Sequence, residues 1–403
     1  MGMKIAIIVR RLNVKGGTQK QALFLARTLQ RHGHQVTLYS FFADRARSHA
    51  DLFEGLPVVA LGMYPASRNV LLDFWNEYRA ARALARRIDR DTDILNPHDQ
   101  VSYRVAYYFK KDIRNIPSVW MMNDMPTKTW GYWRERECGS RRPASFARRM
   151  LWSALDAWDS ATAVKAQNRI VVLDNRDREW VRDAFGKDAV VVRSGLDHAQ
   201  FPYHPRTGLD AGRHPIKILS VGIPFPHRRF EDILVAIRLL RERGVDTSCA
   251  IVGDYDSAHP YAKKLSAYAH AAGVAARISF TGRVPDAEFL RHYQESDIFV
   301  FPCHLQSWGL AVFEAMACGT AVIVSTTAGA SEVLTDGENA LLVPPKNPKA
   351  IVAAIERLIA TPALYESLSR KGRTFVEQNI SWERYAKDML EVLEGAVSGR
   401  NRS

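Results

Sequence analysis

The chain has 403 residues, of which 47% are hydrophobic and 25% charged, and a formal net charge of +13. That length is too great for one compact core and suggests two or three globular domains, and no apolar run nears the ~20 residues that span a bilayer. The four cysteines, Cys138, Cys249, Cys303 and Cys318, form no CxxC pair and no metal-ligand spacing, so reduced thiols of a cytosolic protein are expected and a disulfide framework or zinc site is not.

The first apolar stretch, Ile5 to Val9, is followed at once by Arg10 and Arg11. A signal peptide carries its charges on the other side, so this reads as a buried strand, Lys4 to Val9. Ala22, Leu25, Ala26 and Leu29 then recur at helical spacing over Thr18 to His32, and Gly33 sits where a left-handed cap is expected. A strand follows at Val36 to Tyr39, a helix over Leu72 to Ile88, and strands at Ile94, Val119 to Met121 and Ile170 to Leu173. Pro202, Pro205, Gly208, Gly212 and Pro215 break the pattern and read as a linker. Alternation then resumes. Strands are expected at Ile216 to Val221, Ala250 to Gly253, Arg277 to Thr281, Ile298 to Pro302, Ala321 to Ser325 and Ala340 to Val343. A helix spans Phe230 to Arg243 with Gly244 as its cap, a helical segment is expected before each later strand, and a last helix runs from Ser381 to Leu393 with Ser381 as N-cap. Two such series imply an α/β chain of two Rossmann-like, doubly wound parallel-sheet domains, with a ligand cleft at the carboxyl ends of both sheets. The expected boundaries are 1–200, 201–380, and a C-terminal helix at 381–403 that returns to the first domain.

The most informative stretch runs from Phe301 to Thr320. A buried strand ends at Pro302, a loop follows, and a helix begins near Trp308 or Gly309. Free N–H groups and the positive end of the helix dipole make that corner a phosphate site, and Glu314 lies where it can accept hydrogen bonds from a ribose diol. Taken alone, the stretch is better explained as an ordinary strand–helix corner with a buried glutamate.

The stretch nevertheless resembles the signature of the group 1 (family 4) retaining glycosyltransferases, which have the GT-B fold: two glutamates with seven residues between them, then a small-residue turn, here Ala317 to Ala321. The likeness continues through Gly329-Ala-Ser-Glu-Val333, Asp336-Gly337, Leu342-Val-Pro344, Val192 to Asp197, Phe280 to Val284 and Gly16-Gly17. It implies that Gly16 and Gly17 face the diphosphate and transferred sugar, that His98 contacts the donor sugar, and that Glu314 holds the ribose. It places Ser307, Trp308, Gly309 and Leu310 at the phosphate, with Gly222 beside them, and Arg283 and Val284 at the base.

Two positions depart from the family. Its first glutamate is Gln306 here; an amide hydrogen-bonds sugar hydroxyls but cannot act as a nucleophile. Where the family has an arginine directly after the glycine at 222, this chain has Ile223, and the phosphate cation falls to Arg228 or Arg229, between which spacing does not choose. The leaving diphosphate gains charge in the transition state, so one fixed cation is chemically necessary. Two D-x-D strings, Asp91-Thr-Asp93 and Asp254-Tyr-Asp256, have the form of a metal-binding motif, but two doubly wound series argue for solvated loop carboxylates instead.

Residues 130–158 interleave Trp130, Trp133, Trp152 and Trp158 with six arginines, and Phe146, Met150, Ala154 and Trp158 fall four apart. A basic amphipathic helix of this kind suits an anionic membrane or a phosphorylated lipid acceptor, or else packs on its own domain. The expected protein is thus a cytoplasmic enzyme, with a peripheral place on the inner face of the membrane. It moves a sugar, without cofactor or metal, from a nucleotide-diphosphate donor to a glycan, lipid-linked or small-metabolite hydroxyl. A nucleotide-sugar epimerase and a non-catalytic nucleotide-sugar binding protein are the alternatives, and no module for specific nucleic-acid binding is seen. Because Gln306 lacks a carboxylate, mass spectrometry of the enzyme quenched during turnover should find no glycosyl adduct on residue 306; an adduct there would end the positioning role.

Overall fold

The computed structural model describes residues 2–62, 67, 69–137, 144–209, 215–255 and 260–399, and it divides the chain into two units. The first comprises Met1–Gly131, Ala144–Gly195 and Trp382–Ser403; the second comprises Tyr132–Pro143 and Leu196–Ser381.

In chain order the first unit contributes β1 (Lys4–Leu12), α1 (Gly17–Arg31), β2 (Gln35–Ala43), β3 (Val58–Ala60), α2 (Val70–Ala85), β4 (Ile94–His98), α3 (Ser102–Asp112) and β5 (Val119–Met121). Then come α4 (Lys128–Glu137), which crosses the division, α5 (Phe146–Asp159), β6 (Arg169–Val172), α6 (Asn175–Phe185) and β7 (Val190–Val191). The seven strands form one parallel sheet in the order β3-β2-β1-β4-β5-β6-β7. One of its cores, Ile8, Tyr39, Ala81, Leu84, Val105 and Phe109 among them, lies under α2 and α3. Another gathers Trp120, Met122, Val164, Ile170 and Val181.

The second unit contains β8 (Ile216–Val221), α7 (Phe230–Glu242), β9 (Thr247–Val252), α8 (Pro260–Ala271), β10 (Ile278–Gly282), α9 (Asp286–Glu295), β11 (Ile298–Phe301), α10 (Leu310–Ala317), β12 (Ala321–Ser325), β13 (Leu341–Val343), α11 (Pro348–Ala360) and α12 (Pro362–Asn379). Its sheet is again parallel, in the order β10-β9-β8-β11-β12-β13. Both sheets wind outward in two directions from a central pair, β1/β4 in one and β8/β11 in the other. That is the Rossmann order, with its switch point between the central strands. The last helix, α13 (Trp382–Val397), belongs to the first unit, where Trp382 stacks on Phe24 of α1 at 4.7 Å and 8°.

Three helical segments depart from the sequence reading or decide what it left open, each with a plain cause. No α-helix precedes β13; a 3-10 turn, Gly329–Val333, does so instead. α6 confines its apolar residues, Trp180, Val181, Ala184 and Phe185, to its last two turns, too short a run to be read as a helix from periodicity. Its signals are its caps, Asp174 accepting from the Asp177 N–H at 2.7 Å and Gly186 in the left-handed region. And α5 is a helix, but it buries Trp152, Leu155 and Asp159 and turns the Phe146, Met150, Ala154 and Trp158 stripe outward.

The helices α2, α3 and α5 are fastened by one buried ion cluster. Arg104 on α3 grips Asp159 with Nε and Nη2, both at 2.9 Å, and reaches Glu77 on α2 with Nη1. Tyr78 and Tyr103 also donate to Asp159, and the guanidinium lies 5.0 Å from the Phe74 ring and 4.8 Å from that of Tyr78. Taking away the cation removes the charge partner of buried Asp159 and leaves Glu77 to Arg10 at 3.5 Å, a change that costs about 3–5 kcal/mol. Arg104→Ala should therefore show that loss in urea unfolding of the chain; a loss under about 1 kcal/mol, the size of a surface pair, would mean that the cluster does not hold these helices.

Candidate functional site

At the switch point of the second unit, the chain leaves β8 through Gly222, whose φ is 149°. A Cβ there would lie 3.2 Å from the Arg228 guanidinium carbon, so the missing side chain is what lets Arg228 fold across the strand end. Its Nη1 reaches Cys303 Sγ, beyond β11, at 3.8 Å, and its Nε is buried with no hydrogen-bond partner among the described residues. Arg229 is spent differently. It starts α7 at φ 55°, with Nη1 2.9 Å from Glu231 and a two-pronged grip on Asp232 at 2.7 and 3.1 Å. The two arginines that the sequence left equivalent are thus electrically distinct. Arg229 is neutralised by neighbouring carboxylates, whereas Arg228 holds a donor in reserve.

From β11 the chain enters α10 through a strained loop. Leu305 and Trp308 have φ of 58° and 34°, and Gly309, the N-cap, 101°. A bulky residue at positive φ persists only where its surroundings hold it. Here the Gln306 and Trp308 carbonyls each accept an N–H, from Gly329 and Ala330, at 2.8 Å, while the Trp308 ring is buried against Phe313 at 4.7 Å. A Cβ on Gly309 would come within 2.8 Å of the Phe301 ring, so only glycine fits. Among the described residues no side chain caps α10, and the N–H groups of its first turn, at Leu310, meet no side-chain acceptor. Ser307 is buried just before them.

Gln306 Nε2 donates to the Ser307 carbonyl at 2.9 Å. The side chain of Gln306 also hydrogen-bonds the imidazole of His227, a residue the sequence reading missed although it adjoins Arg228. Burial, then the charges of Arg228 and Arg134, push His227 well below the usual histidine range and keep it neutral. Glu314, in α10, accepts at 2.8 Å from the buried Tyr293 hydroxyl, which fixes one carboxylate oxygen. Arg283 and Val284 follow β10, and Arg283 pairs with Asp254 at 3.2 Å on the exposed surface. Gly222, Arg228, Gln306, Ser307, Trp308, Gly309, Leu310 and Glu314 therefore gather about β8 and β11, with Arg283 and Val284 two strands away.

In the first unit Gly16 is the N-cap of α1, Gly17 its first residue, and no side chain caps the helix. His98 ends β4 in register with Val9 of β1 and Met121 of β5, so it stands at that unit's switch point. It is fully buried, its Nε2 lies 2.9 Å from Asn96 Oδ1, and its Nδ1 has no partner among the described residues. Burial pushes its pKa down to about 3. Asn123, just past β5, likewise has a buried Nδ2 without a partner; a lone asparagine in a loop gave the sequence reading no sign of this. Asp99 and Val101 follow His98 at φ 65° and 73°. Burial, opposed by Arg10, raises the Asp99 pKa to about 8. Of the D-x-D strings, Asp91 and Asp93 bind the ammonium and the backbone N–H of Lys4, at the far end of β1. Asp254 pairs with Arg283, and Asp256 lies outside the described residues.

Two family models match the chain, one described as Glycosyltransferase Family 4 over residues 15–200 and one as Glycosyl transferases group 1 over residues 209–375. The GDP-mannose-dependent alpha-(1-6)-phosphatidylinositol monomannoside mannosyltransferase of Mycolicibacterium smegmatis is 28% identical over 343 residues, 80% of this chain and 87% of that one. The D-inositol 3-phosphate glycosyltransferase of Kineococcus radiotolerans is 27% identical over 340 residues, 79% and 75% of the two chains. Among solved structures, a sucrose-phosphate synthase from Thermosynechococcus elongatus aligns with a TM-score of 0.78 at 18% identity, covering 98% of this chain and 100% of its own. An Anabaena protein in complex with UDP and glucose aligns at 0.76 and 15%, with the same coverage. At such identities the structures show the shared fold, which is GT-B.

The two perturbed groups at the first unit's switch point give opposite pH limbs. His98 titrates near 3 folded but near 6.5 unfolded, so its stability contribution is present above about 6.5 and lost as pH falls toward 3. Asp99 titrates near 8 folded and about 4 unfolded, so its contribution is full below about 4 and lost as pH rises toward 8. Thermal melts of Asp99→Asn should accordingly fall less than the parent's as pH rises from about 4 to 8, and those of His98→Gln less as pH falls from about 6.5 to 3. Parallel curves for parent and variants would show that these groups do not set the limbs.

Proposed function

Since the chain belongs to the group 1 glycosyltransferases and so is an enzyme that uses nucleotide sugars, we propose that it transfers the sugar with retention of configuration and without a metal ion. The observation that carries this reading is Arg228, whose Nε has no partner among the described residues and whose Nη1 reaches Cys303 on the segment that leads from β11 to the uncapped start of α10. A leaving diphosphate held there meets a guanidinium, open backbone N–H groups and a helix dipole, all aimed at charge that grows in the transition state. Glu314, with one oxygen fixed by Tyr293, accepts from the ribose hydroxyls, and the Gln306 amide aligns the sugar. Ser307, Trp308, Gly309, Leu310 and Gly222 supply the close backbone approach, and Arg283 with Val284 flanks the base.

In the transfer, the acceptor oxygen bonds to the anomeric carbon on the face from which the phosphate departs. The anomeric C–O bond breaks, and the hydroxyl proton passes to the leaving phosphate oxygen. No protein nucleophile takes part, in keeping with an amide at 306. For the first unit we retain the uncapped Gly16 and Gly17 as diphosphate contacts, and neutral His98, with its free Nδ1, as a hydrogen-bond partner of a sugar hydroxyl. The mannosyltransferase relative makes GDP-mannose the first donor to test and a lipid-linked glycan the first acceptor. We also read residues 130–158, of which 138–143 lie outside the described residues, as a peripheral contact with an anionic membrane.

The test joins binding to turnover. A donor nucleotide at a hundredfold its Kd should add about 2.7 kcal/mol of stability in thermal unfolding, in EDTA as in magnesium. Arg228→Ala should lose about 10²–10³ in kcat with its melting curve intact, whereas Arg229→Ala should lower stability instead. Stabilisation by no nucleotide, a strict metal requirement, or product of inverted configuration would each overturn the reading it addresses.

A further inference from the structure

The outward stripe of α5 is not alone. Phe146, Met150 and Trp158 are 76%, 54% and 51% exposed, and on α2 Leu71, Leu72 and Trp75 are 42%, 57% and 48% exposed. The rings of Trp75 and Trp158 meet edge to face at 6.1 Å, so the two helices present one apolar ridge. Beneath it Phe74, Tyr78 and Leu155 form a small buried core, and the Arg104 cluster ties the helices together below that. Six large apolar side chains joined in this way, on a ridge with a core of its own, are more than scattered surface hydrophobics.

The charges on the same two helices are sorted. Their four carboxylates all face inward partners: Asp73 accepts the Ser67 N–H, Glu77 and Asp159 bind Arg104, and Asp156 accepts the N–H groups of Lys128 and Thr129. Of their arginines, Arg82 pairs with Asp112 of α3 at 2.6 Å, and the other three are exposed. Arg79 follows Trp75 by one turn, and Arg148 and Arg149 sit beside Phe146 and Met150. The outer surface is thus apolar and cationic with no carboxylate of its own, on a chain whose net charge is +13.

We propose that the α2–α5 ridge docks the first unit on an anionic lipid bilayer, its six apolar side chains entering the interface and its arginines meeting the headgroups. This deepens the peripheral-membrane reading above, on which it rests, and relocates it. Of the tryptophans in 130–158, Trp152 is buried and Trp130 packs on Trp180 at 3.9 Å, whereas Leu71, Leu72 and Trp75 come from a helix outside that segment. No helix among the described residues is long and apolar enough to cross a membrane, so the contact is one of surface, not of span.

The test is flotation of the full chain with vesicles of phosphatidylcholine alone or mixed with phosphatidylglycerol. The parent should float with the mixed vesicles, less as salt rises, and far less with the neutral ones. Phe146→Ser combined with Met150→Ser should weaken binding on the order of tenfold, and Arg79→Gln with Arg149→Gln about fivefold for each charge removed. Among the described residues these side chains have no ring or ion-pair partner, so both variants should keep the parent's melting curve, nucleotide stabilisation and transfer to a water-soluble acceptor. Those readouts separate a failure of docking from a failure of the transferase assignment. Absence of flotation with either vesicle, equal flotation with both, or unchanged binding by the variants overturns the proposal. A dimer that Phe146→Ser and Met150→Ser dissolve, without any flotation, overturns it in favour of a second copy of the chain.

Discussion

In a parallel sheet all strands end on the same side, and where the winding reverses the two central chains leave in opposite directions. The gap this opens between β8 and β11 is the constraint on which the second unit depends. Nothing in the sheet itself can fill it, because the strand ends present backbone groups and the next helix starts some residues away. The chain closes the gap with Arg228, which crosses from the β8 side over a glycine to Cys303 on the β11 side. A half-buried guanidinium whose Nε is buried without a partner among the described residues is costly when left alone. Its presence is intelligible as half of an interaction whose other half is an anion.

The strained loop into α10 follows from the same demand. A helix start can bind phosphate only if no side chain caps it first and the backbone comes close, and both conditions exclude ordinary residues. Gly309 meets the second because the Phe301 ring leaves no room for a Cβ, and it meets the first by having nothing to cap with. The positive φ of Leu305 and Trp308 is a local cost of about 1–3 kcal/mol each. It is offset by burying the Trp308 ring and by the two backbone hydrogen bonds that pin the loop to Gly329 and Ala330. These are side-chain and backbone terms realised only in the folded second unit, so the loop's geometry is a property of the whole domain.

Much of this was legible in the sequence, for reasons that can be named. Buried parallel strands read as continuous apolar runs, so Ile216–Val221 and Ala321–Ser325 fall where the residues place them to the residue. Short edge strands such as β3 and β7 carry three and two residues, too few for any period to register. The stretch from Phe301 to Thr320 could be read because its function constrains residue type at several fixed offsets. His227 could not, since its role comes from burial beside Arg228 and Arg134, and no residue type encodes burial. The α5 stripe was read correctly as one helical face; whether a face turns in or out depends on what the rest of the chain offers it. Here Trp152, Leu155 and Asp159 have the better partners in α2 and α3.

The pair Arg228 and Arg229 shows the same limit in its sharpest form. Adjacent in sequence and identical in chemistry, they differ only in what the fold puts within 4 Å. The left-handed turn at Arg229 starts α7 and aims that side chain at the acids of the helix's own first turn, Glu231 and Asp232. Those acids stabilise the helix N-terminus in any case, so Arg229 is drawn into structure. Arg228, one residue earlier in the short turn before α7, escapes that field and lies over Gly222. A lysine in the position of Arg228 would bring a point charge but no fork to span Cys303 and a phosphate together. The loss of the family's arginine at Ile223 is therefore tolerable only where the remaining cation has both reach and a free donor, and of the two candidates Arg228 alone retains both.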